Sequence, residues 1–476
     1  MRRHAGPSPY GQTMGANAAH TWWARALRSV VGGRRVILAG SVAAAWTEHL
    51  PVLRDAGATD LLVVATEGAG VGPPPDVPTV VVTPPPGLPL MDRIHFANRS
   101  LEKPSPAVVE ALTEFDPDRT AVVIGTFLNT ASHLDGRPFL AYRRAEWIAL
   151  EDKVVVDAFW DRAGVERQPS VVVALADAAG PFPSLDRGQG TVWAADARDG
   201  FHGGAEHTHW VSDEQSASQA RAALAAHCDH VRVMPFVDGV PCSIHGIVLP
   251  DGLAVLRPVE MIVLRRILED GSREFFYAGC ATFWDPADDV RTQMVDVARR
   301  AGEQLRAEVD FKGTFTVDGV AAPNGFWPTE LNPRFGAGIN TIARAGGEIP
   351  ILLINEVVGS GLPLGISAAE LERELVSLAD AHRGGGTWKP GLSSPVAVED
   401  RPAVFESGVW RWASNGDDRA AVAGVVTAGD GIVRCRYVPG PTPVGPSTGA
   451  RAAAFWRFAA AEFGTPTADL LPAGPD

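Results

Sequence analysis

The chain has 476 residues, 46% of them hydrophobic and 21% charged, with a formal net charge of −14. That length holds two to four domains with sizeable cores, and no apolar run reaches the roughly 18 residues of a membrane span. The acidic balance disfavours nucleic acid, whose phosphates need a basic face, and four scattered cysteines without a CxxC pair disfavour a disulfide framework and fit a reducing cytoplasm.

Residues 1–33 are polar and Gly/Pro-rich at first, lack the apolar core of a signal peptide, and read as a flexible tail. Short apolar strands at 34–40, 60–65, 78–83 and 120–126, with a helix expected over 43–56, then imply a parallel sheet covered by helices in a domain over 34–147. The proline-rich stretches at 72–75 and 84–86 are loops at strand ends. No GxGxxG fingerprint accompanies them, so a dinucleotide cofactor is not indicated. A helix from Glu151 to about Ala163 carries Lys153 near its start and ends at Gly164, before a strand over 168–173. A strand from Thr191 runs into a loop containing Gly203 and Gly204, whose amides suit a phosphate nest. His202, His207 and His209 match no strong metal template. Another strand, Val231 to Val237, leads to Asp238 and Gly239. A hairpin follows over 243–259, and then come Glu260, Arg265 and Arg266, of which Arg266 reads as surface. An amphipathic helix is expected over 288–306.

The next two segments carry the chemistry. Phe311 to Val320 alternates like a strand and puts Asp318 before a Gly turn. Thr329 to Gly338 places Glu330 and Asn332 two residues apart, hence on one face of an extended segment. Paired as a hairpin, Asp318 and Glu330 face a common point, and two carboxylates beside nucleotide phosphates suit Mg²⁺. Pro333 stops the strand, Arg334 offers a planar fork for phosphate or carboxylate, and Gly336 and Gly338 permit close backbone approach. Helices are expected over 340–359 and 368–378, a linker at 382–386, and from 387 to 476 a small unit with strands at 422–427 and 432–437 and a helix over 450–463.

Glu330, Asn332, Pro333 and Arg334, preceded by a strand with Gly313 five residues before Asp318, resemble the metal-binding core of the ATP-grasp superfamily. The resemblance covers roughly residues 34 to 350. It implies an α/β chain with an N-terminal parallel-sheet domain, two α+β ATP-grasp subdomains over 148–236 and 237–380, and a small C-terminal α+β domain over 387–476. It implies ATP and Mg²⁺, with Mn²⁺ as a substitute, and an acyl phosphate that an amine converts to an amide. Lys153 would hold the phosphates, while backbone groups around Phe236 and Val237 would read adenine. Asp318, Glu330 and Asn332 would hold the metal. Arg334 would clamp the acyl phosphate, with Glu260, Arg265, Gly336 and Gly338 toward substrate.

The chain departs from the family pattern at two places. The family lysine on the strand before the Gly loop is replaced by Trp193; either Arg198, the nearest cation, takes its place on the phosphates, or the nucleotide is held differently. The usual ribose carboxylates are replaced by Met234 or Pro235 and by Cys242. Within the superfamily the sequence is most similar to pheganomycin-type peptide ligases of actinobacterial natural-product pathways. That implies a small carboxylic acid or modified amino acid as donor and an amino acid or peptide as acceptor. The C-terminal region carries no legible chemistry and leaves a lid, a specificity element or a homodimer surface open. Two alternatives stand beside the ligase: a catalytically degenerate ATP-binding regulatory protein, and an ATP-grasp enzyme using bicarbonate.

Overall fold

A computed structural model describes residues 21–473 apart from 69–72, 89, 199, 201–204, 268–272, 346–348, 393–397, 430 and 466–469. Near the N-terminus four strands form a parallel sheet in the order Thr79–Val81, Asp60–Glu67, Arg35–Val42, Val122–Ile124. Its central strands are apolar on both faces because helices cover both, as parallel strands require. The expected helix over 43–56 is a 3₁₀ segment, Ala43–His49, followed by a helix over Leu50–Asp55 that carries a proline in its first turn.

The tail expected over 1–33 is corrected in its second half. Trp22–Val31 is a helix whose Trp22, Trp23, Ala26, Leu27, Val30 and Val31 are buried. Those positions are one helical stripe, and Trp22 Nε1 donates to Glu374 in the second half of the chain.

The second sheet has 16 strands and is largely antiparallel. One end, built from Val171–Ala174, Thr191–Ala195, Thr208–Val211 and His230–Pro235, packs on the helix Glu214–Leu224 around Trp193, Val231 and Val233. Its centre is Val240–Leu249, Val259–Ile267, Gly313–Ala322 and Gly325–Asn332, backed by the 22-residue helix Asp288–Val309 through Met294, Val297, Ala298 and Leu305. The helix expected over 340–359 is two helices, Ala337–Ala345 and Ile351–Gly359, because Pro350 cannot continue the first. Both pack against the N-terminal domain in one shared core. Ser367 and Glu370 form a capping box that starts the helix Ala368–Ala381.

The C-terminal strands continue the same sheet. Gly385–Pro390 pairs with Arg273–Ala281 on one side and with Ile432–Tyr437 on the other. The helix Gly449–Phe463 covers this end, burying Phe455, Trp456 and Phe458. Among the described residues no helix is long and apolar enough to cross a membrane.

Candidate active site

The centre of the site is one face of three adjacent strands. Asp318 lies opposite Glu330 and Ser243, while Thr316 lies opposite Asn332 and His245, so period-2 alternation stacks two polar rows on one surface. A bulge falls between Asp318 and Gly319, where Thr329 is the extra residue, and it turns the strand beyond the carboxylates. Asn332 Nδ2 donates to Asp318 at 2.8 Å, and the Ser243 hydroxyl donates to the other Asp318 oxygen. Burial, and next Glu330, pushes the Asp318 carboxyl up to about 7. Two close carboxylates plus an amide, aimed into a cleft, are donors suited to Mg²⁺ with phosphate oxygens completing its shell.

Cations flank this face. Lys153 sits in the turn before the helix Val156–Ala163 instead of inside a helix. Its Nζ lies 3.2 Å from Thr208 Oγ1 and 3.8 Å from Glu330 Oε2. Arg334 donates from Nη2 to Asn332 Oδ1 at 2.9 Å and from Nε to Glu151 at 3.3 Å, while Arg143 holds the other oxygen of Glu151. The fork is thereby fixed beside the carboxylates.

Two continuous clefts meet here. One, of 1040 Å³, is lined by Lys153, Met234, Phe236, Val237 and Glu330 among others. The other, of 1000 Å³, shares Lys153, Thr208, Met261 and Glu330 with it and extends over Asp318, Asn332, Arg334, Gly336 and Gly338. Of the sequence-expected metal and phosphate residues, Lys153, Asp318, Glu330 and Asn332 line one or the other, and Arg198 lines neither. Gly203 and Gly204 lie outside the described residues, as does His202.

Several expectations are corrected. Trp193 is fully buried in the first subdomain core with its Nε1 on Thr191, so the residues facing the cleft from that strand are Val192 and Ala194. Arg198 turns away, to Asp229 at 3.0 Å and to the Ala226 carbonyl, and lines neither cleft. Glu260 is buried beneath Ser447 and Thr448. It accepts their hydroxyls and the Thr448 N–H at the start of the C-terminal helix, so it anchors that helix and does not face substrate. Gly336 and Gly338 do line the second cleft, but their smallness also serves packing. A Cβ at Gly336 would stand 2.3 Å from Thr316 Oγ1, and one at Gly338 would stand 2.2 Å from His245 Nε2. Phe236 N–H is already donated to Gly190 O, so it is not available to a base edge. Cys242 is buried in the core behind the sheet and cannot reach a ribose.

Three residues escaped the sequence reading. Arg232, fully buried, faces the cleft from the strand His230–Pro235, pairs with Asp157 at 2.7 Å and donates to Thr329 O at 2.8 Å. It was legible as the one charge inside Val231–Met234. His245 bonds Thr316 at 2.8 Å and is pushed down to about 3 by burial, so it is neutral beside the metal face. Trp210 stacks on Phe236, ring centroids 4.1 Å apart, with Arg265 over both rings. Arg265 also donates to Asp238 and to Pro472 O, which places it at the nucleotide cleft.

No family model matches the chain, and no curated protein does. Solved structures do match in fold. An L-amino acid ligase from Bacillus licheniformis is 12% identical, with 94% of this chain and 100% of that one covered and a TM-score of 0.50. Biotin carboxylase from Campylobacter jejuni is 14% identical over 93% and 92%, with a TM-score of 0.52. The biotin carboxylase domain of 2-oxoglutarate carboxylase from Hydrogenobacter thermophilus, solved with MgADP and bicarbonate, is 13% identical over 85% and 86%, again at 0.52. The chain therefore shares the overall fold of these structures, with a parallel N-terminal sheet and a large, mostly antiparallel sheet that runs into the C-terminal unit.

Proposed function

We propose that the chain is a cytoplasmic, ATP-dependent carboxylate–amine ligase that forms an amide through an acyl phosphate. The observation that carries this reading is the opposition of Asp318 and Glu330 across the hairpin, with Asn332, Lys153 and Arg334 on the same cleft wall. Asp318, Glu330 and Asn332 would hold Mg²⁺, which neutralises phosphate charge when bound. Lys153, with Arg232 behind it, faces the transferring phosphoryl group. The substrate carboxylate oxygen attacks the γ-phosphorus, the bond to the β-phosphate oxygen breaks, and ADP leaves. Arg334 then meets the acyl phosphate as a preorganised cation. The amine attacks the acyl carbon, and phosphate departs with one oxygen of the original acid. The finer reading is a peptide ligase of the pheganomycin type, joining a modified amino acid to an amino acid or peptide. It rests on the sequence resemblance.

The test is isotopic. An acid labelled with ¹⁸O in its carboxylate, incubated with amine, ATP and Mg²⁺, is expected to give ADP and labelled phosphate, with ADP formation requiring both acid and amine. Pyrophosphate as product would refute the acyl-phosphate route. Unlabelled phosphate would reduce the activity to ATP hydrolysis.

A further inference from the structure

The second cleft adjoins a third, open cavity at the junction with the C-terminal unit. Tyr277, Cys280 and Ala337 line both. Arg344, Arg383, Arg434 and Arg436 line this cavity, and among its described lining residues there is no Asp or Glu. In a chain with 56 acidic and 42 basic residues, four arginines and no acidic residue among the described lining are a strong local reversal of charge.

The arginines differ in commitment. Arg383 is fixed by Asp285 at 3.1 Å and by the Thr282 carbonyl, so its charge is largely answered within the fold. Arg344, well exposed, meets Glu48 at 3.1 Å, an exposed pair of the kind worth little in water. Arg434 and Arg436 stand two residues apart on the strand Ile432–Tyr437, opposite Trp388 and Gly386. Val433, Cys435 and Tyr437 of the same strand point into the core, so alternation turns both arginines to the other face. Among the described residues no carboxylate pairs with Arg436. Trp388, edge-on to Tyr277 at 6.1 Å, supplies an apolar wall between the arginines and the metal face. A substrate with its reacting end over Asp318 and Arg334 would pass Tyr277 and lay its far end among Arg344, Arg434 and Arg436.

We propose that this cavity binds an anionic group, carboxylate or phosphate, carried by the ligase substrate away from its reacting end. The inference rests on the ligase reading for what the group is attached to, but binding itself needs no turnover. Guanidinium forks bind planar carboxylate and phosphate alike, so the shared chemistry is an oxyanion. The C-terminal unit, on this view, is the specificity element.

The test uses the full chain with Mg²⁺–ADP and three probes, N-acetyl-Glu-Glu amide, its neutral counterpart N-acetyl-Gln-Gln amide, and O-phosphoserine, followed by calorimetry and ligand-observed NMR. The acidic peptide or phosphoserine is expected to bind at least tenfold more tightly than the neutral peptide, and more weakly as salt rises. Whichever of the two binds identifies the anion. An Arg344→Gln/Arg436→Gln double variant, both sites exposed, is expected to weaken that probe tenfold or more, with Mg²⁺–ADP affinity and melting temperature unchanged. Failure of both anionic probes to bind more tightly than the neutral peptide, or indifference of the binding to the double variant, would overturn the proposal. Anion binding lost in the double variant, in a protein that never forms ADP with any acid and amine, would uphold this site and remove the ligase. Ligation of neutral substrates with an unchanged KM in the double variant would do the reverse.

Discussion

Replacing Glu330 by Gln keeps the side-chain shape while removing one of the two opposed charges of the hairpin. In the free protein the consequences oppose each other. Asp318 loses the repulsion that helps burial raise its carboxyl to about 7. Lys153 loses its ion pair at 3.8 Å but keeps Thr208 at 3.2 Å. Each change is on the order of 1 kcal/mol for a partly exposed group, so unfolding without nucleotide should scarcely move. With Mg²⁺–ADP the loss is one-sided, because a neutral amide replaces an anionic donor. A hundredfold weaker complex corresponds to about 2.7 kcal/mol. At a nucleotide concentration about 100 times the wild-type Kd, ligand stabilisation of the wild type is about 2.7 kcal/mol; for the variant, at about its own Kd, it falls to roughly 0.4 kcal/mol. Denaturant melts with and without Mg²⁺–ADP measure both numbers, and ADP with EDTA gives the metal-free control. A variant still stabilised by more than half the wild-type amount would refute the assignment of Glu330 as a metal ligand.

Two more predictions follow from where side chains point. Arg198→Ala should leave the ATP requirement within about twofold, because its partners Asp229 and Ala226 lie off the cleft. Trp193→Ala should cost about 3–5 kcal/mol in denaturant stability, as a buried Trp does; a large KM effect from Arg198 would contradict both placements. Glu356 is pushed up to about 8 by burial, with Asn355 on one oxygen and no partner on the other. A raised carboxyl stabilises the fold below its unfolded pKa, so this contribution is lost as pH climbs from roughly 4.5 through 8. Glu356→Gln should therefore be at least as stable as wild type at pH 9 and flatten the decline from pH 6, and a variant that declines as steeply would show that Glu356 is not its source.

The hairpin of Asp318, Glu330 and Asn332 was legible because its pattern is local. Glu330 and Asn332 share a face by period alone, and Asp318 reaches them through a short antiparallel turn. The strand before the Gly loop was not. Thr191 to Ala195 is apolar at nearly every position, so alternation carries no phase, and which of Val192, Trp193 and Ala194 faces the nucleotide is decided by packing on Glu214–Leu224. Arg232 had the opposite status, a lone charge in an apolar strand whose meaning needed its partners Asp157 and Thr329. The buried helix at Trp22–Val31 was also readable from its stripe, but the polar run before it drew the whole segment into a tail.

Glu260 shows why a carboxylate beside a site is not thereby part of it. It lies in the strand Val259–Ile267, which follows the hairpin, and looks placed for substrate, yet its partners Ser447 and Thr448 are almost 190 residues away, beyond any spacing argument. That distant contact has a consequence for the site. Glu260 fixes the start of Gly449–Phe463, which covers the C-terminal end of the sheet. Leu471–Pro472 then pairs with the strand that carries Glu260, Pro472 O receives Arg265, and Ala473 lines the nucleotide cleft. Arg434 and Arg436 line the neighbouring cavity from the same unit. One buried carboxylate thus ties the cleft beside Phe236 and Arg265 to the arginine cavity. The C-terminal unit is therefore built into the walls of both cavities instead of standing apart from them.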